Sequence, residues 1–204
     1  MNRYQQNLTL FKELIERYTI ADLKSMIYDV EIKDSGACCY PAVQTLFSLM
    51  ELLGRLLKHK VKDVEAFIVV FDYLGPQYTK EIGIKLYDYF RNGIAHTSLA
   101  KSGVAVKKAG DRKFHLSNDG NHIDIKLMFD DFLIKFGEIF ESKLKDPKLE
   151  SYYETNLKDL FTSLYINWEP VATGDLDVSA DYTRTYISNA STTTLKSKLV
   201  KLGE

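Results

Sequence analysis

Along most of this chain apolar residues recur at intervals of three and four, the period of a helix that buries one face. Between Asn7 and Glu31 the series runs Leu8, Phe11, Leu14, Ile15 and then Leu23, Met26, Ile27, Val30, with a break near Thr19. That spacing predicts one long helix or two short ones. "DSGACCYP" reads as a loop, and Pro41 suits the first turn of the next helix, where its missing N–H costs nothing. Val43, Phe47, Met50, Leu53 and Leu57 then line one side of that helix. "DVEAFIVVFDYL" repeats the period through Phe67, Val70, Phe71 and Leu74 and stops at Gly75-Pro76. A fourth segment, "QYTKEIGIKLYDYF", places Tyr78, Ile82, Leu86 and Phe90 at intervals of four.

The pattern then changes. "GVAVKK", "RKFHLS" and "HIDIK" alternate between apolar and polar, and "AGD" and "NDGN" between them are turn sequences. Asp119-Gly120 is a good hairpin signal, so a small β-hairpin or meander is expected between about Gly103 and Ile125. The alternative is a purely helical domain with an irregular loop here. Helical spacing resumes with Phe129, Phe132, Leu133, Phe136, Ile139, Phe140 and Leu144, and again after Pro147 with Leu149, Tyr153, Leu157, Leu160, Phe161 and Leu164. From Pro170 onward the chain is rich in Ser, Thr, Asp and Gly and ends in "LKSKLVKLGE", a candidate short helix. The expected fold is all-α: an up-and-down helical bundle over residues 1–168, a β-hairpin inserted at about 103–125, and a polar tail over 169–204.

Composition narrows the class. A hydrophobic fraction of 45%, with 11 Phe and 13 Tyr in 204 residues, is enough to bury a core and argues against a disordered chain. The net charge of −1 supplies no whole-molecule field that would draw in a phosphate backbone, so any nucleic-acid contact is local. No apolar run approaches the roughly eighteen residues of a membrane span, and the opening "MNRYQQNLTLFKE" is too polar for a signal peptide, so a cytoplasmic protein without membrane contact is expected. Cys38 and Cys39 are adjacent, which is poor geometry for a mutual bond and no metal motif, and suits a reducing compartment. His59, His115 and His122 have no paired ligands at metal-binding spacing, so neither a metal nor another cofactor is expected.

The candidate chemistry lies in "LYDYFRNGIAHTS", where an aromatic helix runs into Arg91, Asn92 and, past a Gly and two small apolar residues, His96. On a straight α-helix, residues five apart lie about 140° apart round the axis. Arg91 and His96 share a site only if the backbone turns at Gly93 or if the two side chains meet across an interface. Counted at α-helical spacing from Ile82, Arg91 falls opposite the buried stripe and points to water or to a partner. Arg55 and His59, one residue closer in spacing, sit on an ordinary helix surface.

"YDYFRNGIAH" resembles the signature of the HEPN superfamily (higher eukaryotes and prokaryotes nucleotide-binding domains): Arg, four to six residues, then His, commonly with a polar residue such as Asn directly after the Arg. Arg91, Asn92 and His96 fit it at the shortest spacing, and the likeness extends over roughly Pro41 to Leu144. The resemblance implies a helical bundle that pairs as a two-fold homodimer with two copies of the motif at the interface, and often a metal-independent endoribonuclease. In that chemistry His96 moves the proton of a ribose 2′-hydroxyl or of the leaving oxygen, a role that suits imidazole, whose unperturbed pKa is about 6.5. Arg91 holds the scissile phosphate and offsets its growing charge, while Asn92 orients the His or the phosphate. Lys101, Lys107, Lys108, Arg112 and Lys113 form a candidate RNA-facing strip. An antitoxin or nucleotidyltransferase partner would accompany a toxin role. Other members of the superfamily keep the dimer without turnover, so a silent nucleotide-binding or scaffold module is the alternative.

Overall fold

The computed structural model describes residues 1–31, 37–93, 104–110, 115–117 and 119–168. Six α-helices dominate it: α1 (Arg3–Leu14), α2 (Cys39–Leu57), α3 (Asp63–Phe71), α4 (Lys80–Leu86), α5 (Ile125–Glu141) and α6 (Glu150–Ser163). By compactness the chain divides into two units, Met1–Leu160 and Phe161–Glu204. In the second unit the described part is a helix end, where the Phe161 and Trp168 rings meet edge to face at 5.5 Å and the Ile166 N–H donates to the Phe161 carbonyl.

The first unit is organised round α2. A helix buried on one stripe is amphipathic, whereas α2 buries residues on nearly every side, among them Val43, Leu46, Phe47, Leu49, Met50, Leu53 and Leu56. It crosses α3 so closely that a Cβ added at Gly54 would stand 1.8 Å from the Ala66 carbonyl oxygen, which makes glycine obligatory there. Phe47 packs on Phe67 at 4.6 Å between ring centres, and Phe67 on Phe71 at 5.2 Å, in the offset geometries that aromatic quadrupoles favour. Phe129, Phe132, Phe136 and Phe140 of α5 add a second aromatic row.

The N-terminal helix is one helical run and not two. The Asn2 side chain caps it by accepting from the Gln5 N–H, and beyond α1 the chain stays helical through wide π-helical turns at Ile15–Ile20 and Ser25–Asp29. The expected break at Thr19 is the first of these turns. No helix among the described residues is long and apolar enough to cross a membrane.

Strand pairing departs from the expected hairpin. β1 (Ala105–Lys107) and β2 (His122–Asp124) run parallel, with Ala105 opposite His122 and Lys107 opposite Asp124. Among the described residues, Leu116 pairs antiparallel with Ile123 across the Asp119-Gly120 turn. The hairpin signal was therefore correct for that turn and wrong for the two strands. The reason is what holds the chain after β1: Lys108 donates to the carbonyls of Met26 and Val30, and the Gly110 N–H donates to Asp124 Oδ2. So pinned, the chain cannot fold straight back along β1. It returns at 115–117 on the other edge of β2. Gly120, at φ 73°, lies against Lys85, whose Cβ would be 3.0 Å from an added Cβ.

Candidate functional site

α4 begins at Thr79, whose hydroxyl accepts from the Ile82 N–H, and seats Gly83 against α3, where an added Cβ would stand 2.5 Å from Ile68 Cδ1. Beyond Leu86 the helix widens into a π-helical turn, Tyr87–Asn92, crowded by three aromatic side chains. Tyr78, Leu86 and Phe90 are buried as the spacing predicts, and Ile82 is half-buried. The wide turn reorients the end of the helix. Each residue of an i→i+5 turn advances less round the axis than in an α-helix, so Arg91 swings back by roughly a quarter-turn toward the buried side. The expectation that Arg91 points away from the core is corrected: only 25% of its side chain is exposed, and its partner is intramolecular.

That partner is Glu51 of α2. Arg91 Nε donates to Glu51 Oε1 at 2.8 Å, and the Glu51 side chain is 9% exposed. Burial, then the nearby Glu51 charge and a hydrogen bond to its carboxylate, push the Tyr87 phenol well above the usual tyrosine range. One buried carboxylate thus holds both Tyr87 and Arg91. Of the five N–H donors of a guanidinium, Glu51 takes the one on Nε, so the paired Nη groups keep the fork geometry that suits a phosphate. Sequence reading missed Glu51. The available signal was a lone carboxylate between apolar pairs in "SLMELLG", since a charge set among apolar neighbours on a helix that buries nearly every side needs a partner.

Tyr87 is itself nine-tenths buried and packs its ring on Phe67 at 5.3 Å, so it is a core residue and not an open stacking platform. Tyr89 is half-buried. Next to Arg91, half-exposed Asn92 lines an open groove of about 600 Å³ together with Lys62, Asp63 and Val64 from the start of α3 and Ile84, Tyr87 and Asp88 from α4 and its wide turn. Asp63 is already ion-paired with Arg55.

Of the remaining site residues, Lys107 and Lys108 are described. His96, Lys101, Arg112 and Lys113 lie outside the described residues, as does the 169–204 tail. Lys107 is half-buried on β1. Lys108 is not part of any RNA-facing strip: it is 5% exposed, and its ammonium caps the end of the N-terminal helical run through Met26 and Val30. Alternation placed it on a strand end but gave no sign of the carbonyls that it neutralises.

A second buried polar cluster sits under the 115–117 segment. The Tyr78 hydroxyl lies 2.6 Å from His115 Nε2 and donates to Asp131 Oδ2 at 2.8 Å, which ties that segment to α5. Asp124, fully buried, accepts from the Lys126 and Leu127 N–H groups at the start of α5. His115 thus has neighbours that its sequence position did not reveal. Set against protein-family models, curated proteins and solved structures, the chain matches none of them.

Proposed function

We propose that the protein is a HEPN-like, metal-independent endoribonuclease that cleaves RNA by attack of a ribose 2′-hydroxyl, acting as a homodimer in a toxin or defence role. The observation that supports this reading is the anchoring of Arg91 by a buried carboxylate. Glu51 fixes Nε at the end of the helix that leads to His96 and leaves the two Nη groups to hold a phosphate. Asn92, beside it in the open groove, is placed to bond a phosphate oxygen or an imidazole. His96 supplies the proton transfer. Such a reaction leaves 2′,3′-cyclic phosphate and 5′-hydroxyl ends and spares DNA, which has no 2′-hydroxyl.

The same ion pair favours a second reading, a silent dimeric nucleotide-binding or scaffold module, because an Arg charge offset by Glu51 serves the fold without any substrate. Incubating the full chain with structured RNA in EDTA separates the two. The ribonuclease cuts, and His96→Ala slows it about a hundredfold to ten-thousandfold while leaving the light-scattering mass unchanged. Intact RNA at high protein concentration across several substrates overturns the enzyme and leaves the module.

A further inference from the structure

We infer that the turn joining α2 to α3 is a platform for single-stranded RNA, with Lys58, Lys60 and Lys62 on backbone phosphates and the Tyr152 ring stacked on a base. This rests on the ribonuclease reading and adds the class of strand and the path on which it leaves the site. The turn presents its charge openly. Lys58 follows α2 in extended backbone, Lys62 precedes α3 in the same conformation, and Lys60 between them lies in the left-handed region at φ 50°. Glycine or asparagine fills that region at less cost, so a lysine stands there against backbone preference. All three side chains are exposed, and among the described residues no carboxylate pairs with any of them. Two carboxylates beside the turn are already engaged: Asp63 pairs with Arg55, and Asp159 lies 3.7 Å from His59 Nδ1. On a chain of net charge −1, three unpaired ammonium groups in five residues make the local positive field that a polyanion needs.

Tyr152 supplies what charge does not. The His59 N–H donates to its hydroxyl at 2.8 Å, which holds the phenol beside the lysines, while 42% of the residue stays exposed. Its ring meets that of Tyr153 at 5.5 Å, and α6 is tied to the end of α2 by buried Asn156, whose amide N–H donates to the Leu56 carbonyl at 2.8 Å. An anchored, half-open aromatic ring next to unpaired cations is the combination that binds unpaired bases without reading their sequence. The other end of the turn leads to the candidate phosphate site. Lys62 lines the open groove together with Asn92, the residue after Arg91, and from Lys58 to Lys62 the chain spans at most about 14 Å. A strand held at Arg91 therefore runs through the groove and out over the turn. Duplex RNA keeps its bases stacked inside and offers the ring nothing, and an acidic peptide engages only the lysines.

The test is fluorescence anisotropy of the full chain with a labelled 2′-O-methyl oligoribonucleotide of about twelve nucleotides, which binds but has no 2′-hydroxyl to react, from about 50 to 200 mM salt. Each phosphate contact on a single strand contributes about 0.7 to the salt slope. Lys58→Gln, Lys60→Gln and Lys62→Gln together should make the slope shallower by about 2 and weaken binding at least tenfold at the lower salt, with circular dichroism unchanged. Tyr152→Ala should weaken binding at least about fivefold at an unchanged slope, and Tyr152→Phe, which keeps the ring, should not. No binding, an unchanged slope in the triple variant, an equal loss in Tyr152→Phe, or polyglutamate competing as well as the oligonucleotide overturns the platform. So does an equal change in Arg17→Gln with Lys24→Gln, two exposed charges on the N-terminal helical run. Cleavage of unmodified RNA alongside any of these results leaves the ribonuclease standing. Lysine-dependent binding with no cleavage of unmodified RNA sustains the platform and refutes the ribonuclease.

Discussion

Replacing Arg91 by alanine strands a carboxylate. Glu51 keeps only 9% of its side-chain surface in water, so without Arg91 its charge depends on the Tyr87 hydroxyl for compensation. Removing one partner of a buried pair costs about 3–5 kcal/mol. Arg91→Ala should fall within that range, about 3–4 kcal/mol. Glu51→Ala should cost less, about 2–3 kcal/mol, because the stranded guanidinium is 25% exposed and turns toward solvent, while Tyr87 loses an acceptor worth about 1 kcal/mol. Replacing both, Glu51→Ala with Arg91→Ala, removes the unpaired charge altogether and should cost at least about 2 kcal/mol less than the two single changes added together. For a chain of this size each kcal/mol moves the melting temperature by about 2–4 °C, so the single variants should melt on the order of 10 °C low. Urea unfolding followed by circular dichroism measures all four corners of the cycle. Additive single effects below about 1 kcal/mol, as for an exposed pair, or a larger loss from Glu51→Ala than from Arg91→Ala, would refute the burial argument.

Lys108→Met should lower stability by about 2–4 kcal/mol, because two carbonyls at the end of the N-terminal helical run lose a charged donor, and should leave RNA affinity unchanged. Weaker RNA binding with an unaltered urea midpoint would return Lys108 to the surface. Glu141, between Lys12 and Lys145, has its carboxyl pulled down to about 2 from an ordinary 4.5. Its pairs therefore stabilise the fold above about pH 4.5 and are lost as pH falls toward 2. Glu141→Gln should flatten that acid limb by less than about 1 kcal/mol, the carboxylate being 56% exposed, and 1 M salt should shrink the difference; an unchanged acid limb would show that the pairs contribute nothing.

The helical character was legible in the sequence because burial on one face imposes its own period. Leu8, Phe11, Ile15, Leu23 and Ile27, and later Phe129, Phe132, Phe136 and Phe140, announce their helices by spacing alone and are buried as the spacing requires. Local chemistry was equally readable: Pro41 falls in the first turn of α2, and Asp119-Gly120 makes the turn that its residues favour. Partnerships between distant segments were not readable, because no local property of Glu51 names Arg91 forty positions later, and none of Lys108 names the carbonyls of Met26 and Val30. The orientation of Arg91 failed for a related reason. Counting at 100° per residue assumes an unbroken α-helix, and the helix widens at Tyr87–Asn92, where Tyr87 and Phe90 are buried and Tyr87 packs on Phe67 of α3. Strand direction belonged to the tertiary structure as well, since alternation sets which face of a strand is buried, whereas parallel pairing followed from Lys108 and Gly110 being held elsewhere. Periodicity is a property of a segment and its own solvent boundary; ion pairs, caps and strand direction are properties of two segments, and only the fold brings the second one near.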